Sequence, residues 1–439
     1  MAKAKRNNKH SKKVRNLVAI CFLCAVVLSV STYAWFIGMK TVNVSSFDVE
    51  IATTEGLFLS MNGKDWAYKL DARNTEAYAE NTNTWAETGL IPMSSVGDMD
   101  DTSSTMKLYE KGSLTTTKGG YRLLTSRVGN YATPNADGFY EEGKGYVAFD
   151  LFIKNLSGTE YYVDNEPLNE EAIYLTTNSA VTVASDGVKN TGIENSVRVA
   201  FTQIGRVKAD TDKVAGTGVS NITKITCADK VASTGQVQVT GICRDAQIWE
   251  PNDKAHEANA ISWYTTSCRS RKSGGTDVTL DASYDLTKAT PCGAVSNGTA
   301  YKTYAISRAI NVVDNVDVYD GAQYNTYTAN TKEYATYINE GKTGKLVDFP
   351  YFTDTMKLET GMNRDTFMTL APNSITKVRV YIYIEGQDID NYDFASLGKK
   401  ISVKFGFTKE RFEQTDIPGY NGPDTNITPT IGDFITAGA

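Results

Sequence analysis

The sequence predicts an all-β protein built as an antiparallel sandwich. Several segments alternate apolar and polar residues with a period of two, which is the pattern of a half-buried strand. Polar turns separate them, and no βαβ rhythm appears. Composition agrees: Tyr alone numbers 25 and Pro only 10, while runs at helical period are scarce, so strands are favoured over helices. At 439 residues the chain is too long for one small domain.

In chain order, residues 1–16 carry Lys3, Lys5, Arg6, Lys9, Lys12, Lys13 and Arg15 with no acidic residue, and residues 17–30 are almost wholly apolar. This is the layout of a secretory signal. The small residues Thr32 and Ala34 place a cut between Ala34 and Trp35, making residues 1–34 a signal peptide handled by a signal peptidase. An uncleaved anchor is the alternative, because residues 17–38 are long enough to span a bilayer of roughly 30 Å. Either way the chain beyond Phe36 lies outside the cytoplasm. Without residues 1–34, 38 basic residues face 51 acidic ones, a net charge near −13 that argues against nucleic acid or anionic lipid as partner.

Residues 35–55 read as an arm and first strand, with Val42, Val44, Phe47, Val49 and Ile51 alternating with polar neighbours. Residues 56–204 form the first part of the sandwich. Leu57, Leu59 and Met61 lead into an Asn62-Gly63 turn. Residues 71–117 are polar and read as long surface loops with a short strand at Leu90 and Ile91. Val147, Phe149, Leu151 and Ile153 then mark a strand whose other face, with Ala148, Asp150, Phe152 and Lys154, is mixed and covered in part. Strands are also expected at residues 172–183 and 197–204.

Residues 205–344 change character, with dense Thr, Ser, Asn and Gly, and are read as an insertion or second β-rich domain. Short β-like runs occur at residues 236–242 and 260–266, and a helix at 330–339. Cys227, Cys243, Cys268 and Cys292 all fall here. In an exported chain they suggest two disulfides with three connectivities open; short loops favour Cys227 with Cys243 and Cys268 with Cys292. Their spacings do not suit a zinc site. Cys21 and Cys24 lie in the apolar leader and read as filler. Residues 345–412 return to strong strands, with Val378, Val380, Ile382 and Ile384 followed by Ile401, Val403, Phe405 and Phe407. Residues 413–439 read as a loose tail.

The run Thr32-Tyr33-Ala34-Trp35-Phe36 at the end of the leader resembles the precursors of the TasA and camelysin family of bacterial matrix-fibre proteins. Residues 56–66 and 381–388 are similar to that family's first-hairpin and late-strand signatures, so the resemblance covers about the first and last hundred residues. It implies a jelly roll, a dedicated signal peptidase and assembly into fibres.

Candidate chemistry is sparse. His256, in Ala255-His256-Glu257-Ala258, is the only histidine after the leader, so a His-Glu-x-x-His site cannot be built and a triad would have to use it. It reads as an exposed loop residue. That argues against the protease activity described for camelysin-like proteins. Glu385, Asp388, Asp390 and Asp393 follow a strand, where oxygen ligands could hold calcium or two carboxylates could act on a glycoside. The plainer reading is a solvated acidic turn, as it is for Asp98, Asp100 and Asp101. No cofactor is implied.

Trp35, Phe36, Ile37, Met39, Val42 and Val44 make the new N-terminus apolar once the leader is removed. Such an arm can complete the sheet of a neighbouring copy by β-augmentation, a heterologous contact that propagates. It could equally fold back as the first strand of its own sheet. The function expected is therefore a secreted, non-enzymatic fibre protein of the bacterial surface or matrix, with copies of itself and other matrix components as partners. A membrane-anchored monomeric adhesin or carbohydrate-binding sandwich is the alternative.

Overall fold

A computed structural model describes residues 43–51, 56–71, 83–84, 89–110, 113–117, 120–124, most of 127–157, 161, 167–189, 192–229, 239–263, 272–273, 276–277, 304–306, 346–359, 364–391 and 400–409. The strands that matter here are β1 (Asn43–Ile51), β2 (Leu57–Ser60), β3 (Lys69–Asp71), β4 (Pro92–Ser94), β5 (Val147–Asn155), β6 (Glu171–Leu175), β7 (Ala180–Val183), β8 (Val197–Lys208), β9 (Val239–Gly241), β10 (Gln247–Glu250), β11 (Phe352–Thr353), β12 (Met368–Leu370), β13 (Ser374–Glu385) and β14 (Lys400–Thr408). The helices are α1 (Gly218–Thr223), α2 (Asp253–Trp263) and α3 (Asp354–Lys357).

The protein is all-β, and its strands gather into two main sheets. The larger has the order β2-β5-β13-β8-β10-β11, with β9 beside β8 and β4 beside β13. The smaller has the order β12-β6-β14-β1-β3, with β7 also on β14. Most neighbours are antiparallel, but β1–β14, β4–β13 and β10–β11 run parallel.

The sheets share one apolar core. Phe149, Leu151, Ile153, Val199, Phe201, Val378, Val380 and Ile382 enter it from the larger sheet; Ile173, Leu175, Ile401, Val403, Phe405 and Phe407 enter it from the smaller. Phe201 sits at its centre, edge-on to Phe367, Phe405 and Phe407 with ring centroids 5.0 to 5.7 Å away. The alternation seen in the sequence supplies this layer, because every second side chain of a strand points the same way.

Several expectations need correcting. The mixed face of the larger sheet is covered throughout, so all nine residues of β5 are buried. The cover comes partly from residues 89–110, expected to be surface loops: Met93, Met99, Met106 and Leu108 pack there with Ile222 and Ile225 against Phe152, Tyr381 and Tyr383. The boundary expected at Gly205 falls inside β8, and β9 and β10 also join the larger sheet, so the chain to Glu250 continues the body. Residues 260–263 belong to α2, not to a strand; Ala, Glu and Lys make Asp253–Trp263 a better helix than strand. The strand expected at 172–183 is two strands, separated by a turn in which the Ser179 N–H donates to the Thr176 carbonyl. The helix expected at 330–339 lies outside the described residues.

Candidate functional site

Two places bear on function: the first strand, and a buried charge cluster at one end of the larger sheet. β1 pairs in parallel with β14 from Asn43↔Lys400 to Ile51↔Phe407. A bulge between Val44 and Ser46 shifts the register, so Val44 stands opposite Ile401 while Phe47, Val49 and Ile51 stand opposite Val403, Phe405 and Phe407. That bulge explains the three-residue step from Val44 to Phe47 in an otherwise alternating strand. On its other side, β1 pairs with β3 at Asp48, Glu50 and the Val49 between them. Among the described residues, no strand pairs with that side at Asn43–Phe47.

Of the predicted donor segment, Val44 is paired on one side within its own chain, opposite Ile401. Ala34, Trp35, Phe36, Ile37, Met39 and Val42 lie outside the described residues, as do Cys268 and Cys292. Cys227 and Cys243 form a disulfide with a Cα–Cα separation of 4.9 Å, as their short loop favours. Among the described residues no helix is long and apolar enough to cross a membrane.

The charge cluster overturns two further readings. His256 is 4 % exposed and stands on the inward face of α2 one turn before buried Ala260. It is no loop residue. The carboxylates after β13 are not a solvated turn either: Glu385, Asp388 and Asp390 are all buried. The reason is that α2 closes over the turn, while Arg198 of β8 reaches it from below. Arg198 Nη2 donates to Asp388 Oδ2 at 2.5 Å and to Glu250 Oε1 at 2.6 Å, and its Nη1 donates to the carbonyls of Asn195 and Val197. His256 Nδ1 lies 3.1 Å from Asp388 Oδ1 and 3.4 Å from Asp390 Oδ2. The Asp390 N–H donates to Asp388 Oδ1, and Asn259 Nδ2 donates to Asp390 Oδ1 at 2.7 Å.

These partners set the protonation states. Burial pulls the His256 pKa down, but the Asp388 carboxylate outweighs it and lifts the imidazole to about 10. Burial raises the Asp388 carboxyl, yet the His256 and Arg198 charges hold it down at about 2. Glu385 goes the other way: burial dominates and raises it to about 8, against the Gln387 N–H and Arg198. Tyr351 donates to Glu385 Oε2 at 3.2 Å. Held as the cation by Asp388, His256 is poorly suited to act as a general base, and among the described residues its Nε2 has no hydrogen-bond partner. Glu385 differs from Asp388 in what sets its protonation: burial for Glu385, the neighbouring cations for Asp388. Glu250, His256 and Asp388 bring side-chain atoms within 4.8 Å of one another.

Sequence reasoning found Glu385, Asp388, Asp390 and His256 as separate features and missed Arg198, Glu250 and Asn259. It also missed a second buried network on the same face, where Arg379 Nε donates to Asp150 Oδ1 at 2.7 Å and Lys377 lies 3.3 Å from Asp150. A signal was present, since Asp150, Lys377, Arg379 and Arg198 interrupt strands that are otherwise apolar or aromatic. Asp98, Asp100 and Asp101 form no such cluster; Asp100 pairs with Arg127 at 2.8 Å. Comparison of the chain with protein-family models, with curated proteins and with solved structures finds no match.

Proposed function

We propose that this chain is an exported structural subunit with a jelly-roll body, which polymerises into fibres at the bacterial surface or in its matrix. Each subunit adds by β-augmentation through the arm at residues 35–42, freed by a signal peptidase cutting before Trp35. The observation that carries this reading is the position of β1. It is fixed to β14 along its whole length, while among the described residues no strand pairs with its other side at Asn43–Phe47. Main-chain hydrogen bonds to a neighbouring sheet would supply affinity and the alternating apolar residues would fill pockets. The commitment of His256 and its carboxylates to one another favours a structural role over hydrolysis.

Negative-stain microscopy tests it. Protein beginning at Trp35 is expected to form filaments, and protein beginning at Asn43 is expected to stay monomeric with an unchanged circular dichroism spectrum. Monomers from both over a wide concentration range would remove the proposal.

A further inference from the structure

Glu385 ends β13 as a carboxyl cut off from water, at 0 % exposed. Among the described residues no ion pair includes it, because Arg198, the cation whose charge reaches it, is engaged by Glu250 and Asp388. Its hydrogen bonds come from neutral groups instead. Tyr351 Oη donates to Oε2 at 3.2 Å, the Gln387 N–H donates to Oε1 at 3.1 Å, and the Ser94 hydroxyl also bonds it. The titratable groups around it are Tyr383 of β13 itself, Arg198 of β8, Glu250 of β10, Tyr351 ahead of β11 and Asp388 in the turn, with His256 of α2 behind Asp388. An ionised Glu385 would add a third negative charge to Glu250 and Asp388 without gaining a partner, so burial favours the neutral acid.

Separate stretches of the cover over the larger sheet meet at this carboxyl. Ser94 belongs to β4, and its hydroxyl accepts the Ile306 N–H at 2.6 Å. Tyr304–Ile306 pairs in turn with Leu346–Asp348, just ahead of Tyr351. The Gly386 N–H donates to the Met93 carbonyl at 2.6 Å, which fixes β4 beside the same turn. Tyr351 is 5 % exposed and shares the second-face cluster with Met93, Tyr381 and Tyr383.

We propose that protonated Glu385 is a clasp for this part of the cover: it holds β4, Tyr304–Ile306 and residues 349–353 onto the end of β13, and its ionisation in mildly alkaline solution lets them open. Opening gives the carboxylate water and uncovers the apolar bodies of Tyr351 and Met93. The folded carboxyl titrates at about 8, above the ordinary 4.5, so the closed form has its full advantage below 4.5 and loses it as pH rises to the folded value. Between the two values the ratio of open to closed chains rises ~10-fold per pH unit and then levels. This inference does not depend on fibre formation.

Amide hydrogen exchange of the exported chain tests it, read at residues 304–306 and 349–353 and compared with Glu385→Gln, which keeps the shape and an accepting oxygen but cannot ionise. Taking the ratio of parent to variant at each pH cancels the intrinsic exchange rate. From about pH 6 to about pH 8 the parent is expected to lose ~100-fold in protection relative to the variant, while β5 and β14 keep theirs in both proteins. Infrared spectra at about pH 6 should show a protonated-carboxyl stretch in the parent that the variant lacks and that fades by about pH 9. A constant protection ratio, an equal loss in β5 and β14, or parent and variant spectra that match at about pH 6 would overturn the clasp. Should Glu385→Gln fail to fold, the infrared titration of the parent decides alone, and a carboxyl band that is absent at about pH 6 or persists at about pH 9 overturns it.

Discussion

Replacing Phe201 by Ala tests whether the two sheets share the core described above. Phe201 is 2 % exposed and belongs to β8 of the larger sheet, yet Phe405 and Phe407 of the smaller sheet's β14 meet its ring edge-on, as does Phe367. Truncating a buried Phe to Ala costs about 3–5 kcal/mol through lost transfer energy and the cavity left behind. Each aromatic pair adds about 0.5–1.5 kcal/mol beyond burial, so three such pairs place this site at the upper end, near 5 kcal/mol. Phe201→Leu keeps most of the volume and should cost about 1.5 kcal/mol. Equilibrium urea unfolding at fixed pH reads both, with the denaturant slope expected to stay constant. A loss below about 1 kcal/mol for Phe201→Ala would mean that the sheets do not pack across this ring.

The buried network on the opposite face gives a second prediction. Asp150→Asn leaves Lys377 and Arg379 short of a carboxylate and should cost about 3 kcal/mol by thermal or chemical unfolding, the low end for a broken buried pair because Glu142 still faces Arg379. Burial raises the Asp150 carboxyl, but Arg379 and Lys377 outweigh it and hold it below its ordinary value. Its contribution is therefore complete above the unfolded pKa near 3.8 and is lost as pH falls through the lower folded value, so the gap between parent and variant should shrink from about pH 5 downward. A gap that is constant with pH would contradict this. Removing the disulfide by a Cys227→Ser, Cys243→Ser double change opens a loop of sequence separation 16 and should cost about 3 kcal/mol, measured against the parent in oxidising buffer. Equal stability would show that the bridge adds nothing.

The strands were legible because burial on one face writes a period of two into the chain: β5, β8, β13 and β14 all show it. What could not be read was the covering of the second face. Asp150, Lys154, Arg379 and Arg198 look like solvent-facing positions when each strand is taken alone, and only strand register shows that Asp150 stands opposite Arg379. The Met-bearing segment at residues 89–110 is likewise polar on average, and its few apolar residues matter only where the chain returns over the sheet. His256 was misread for a similar reason. An imidazole in an Ala-rich stretch says nothing of the carboxylates brought to it from more than 130 positions away. The disulfide was legible because closing a short loop costs little entropy.

Amide hydrogen exchange across residues 35–42, compared between dilute monomer and assembled material, is the most direct measurement of the proposed assembly. Protection of those amides in the fibre and rapid exchange in the monomer is the predicted result. Equal protection in the isolated monomer, or rapid exchange in both states, would contradict an arm that pairs with a neighbouring sheet.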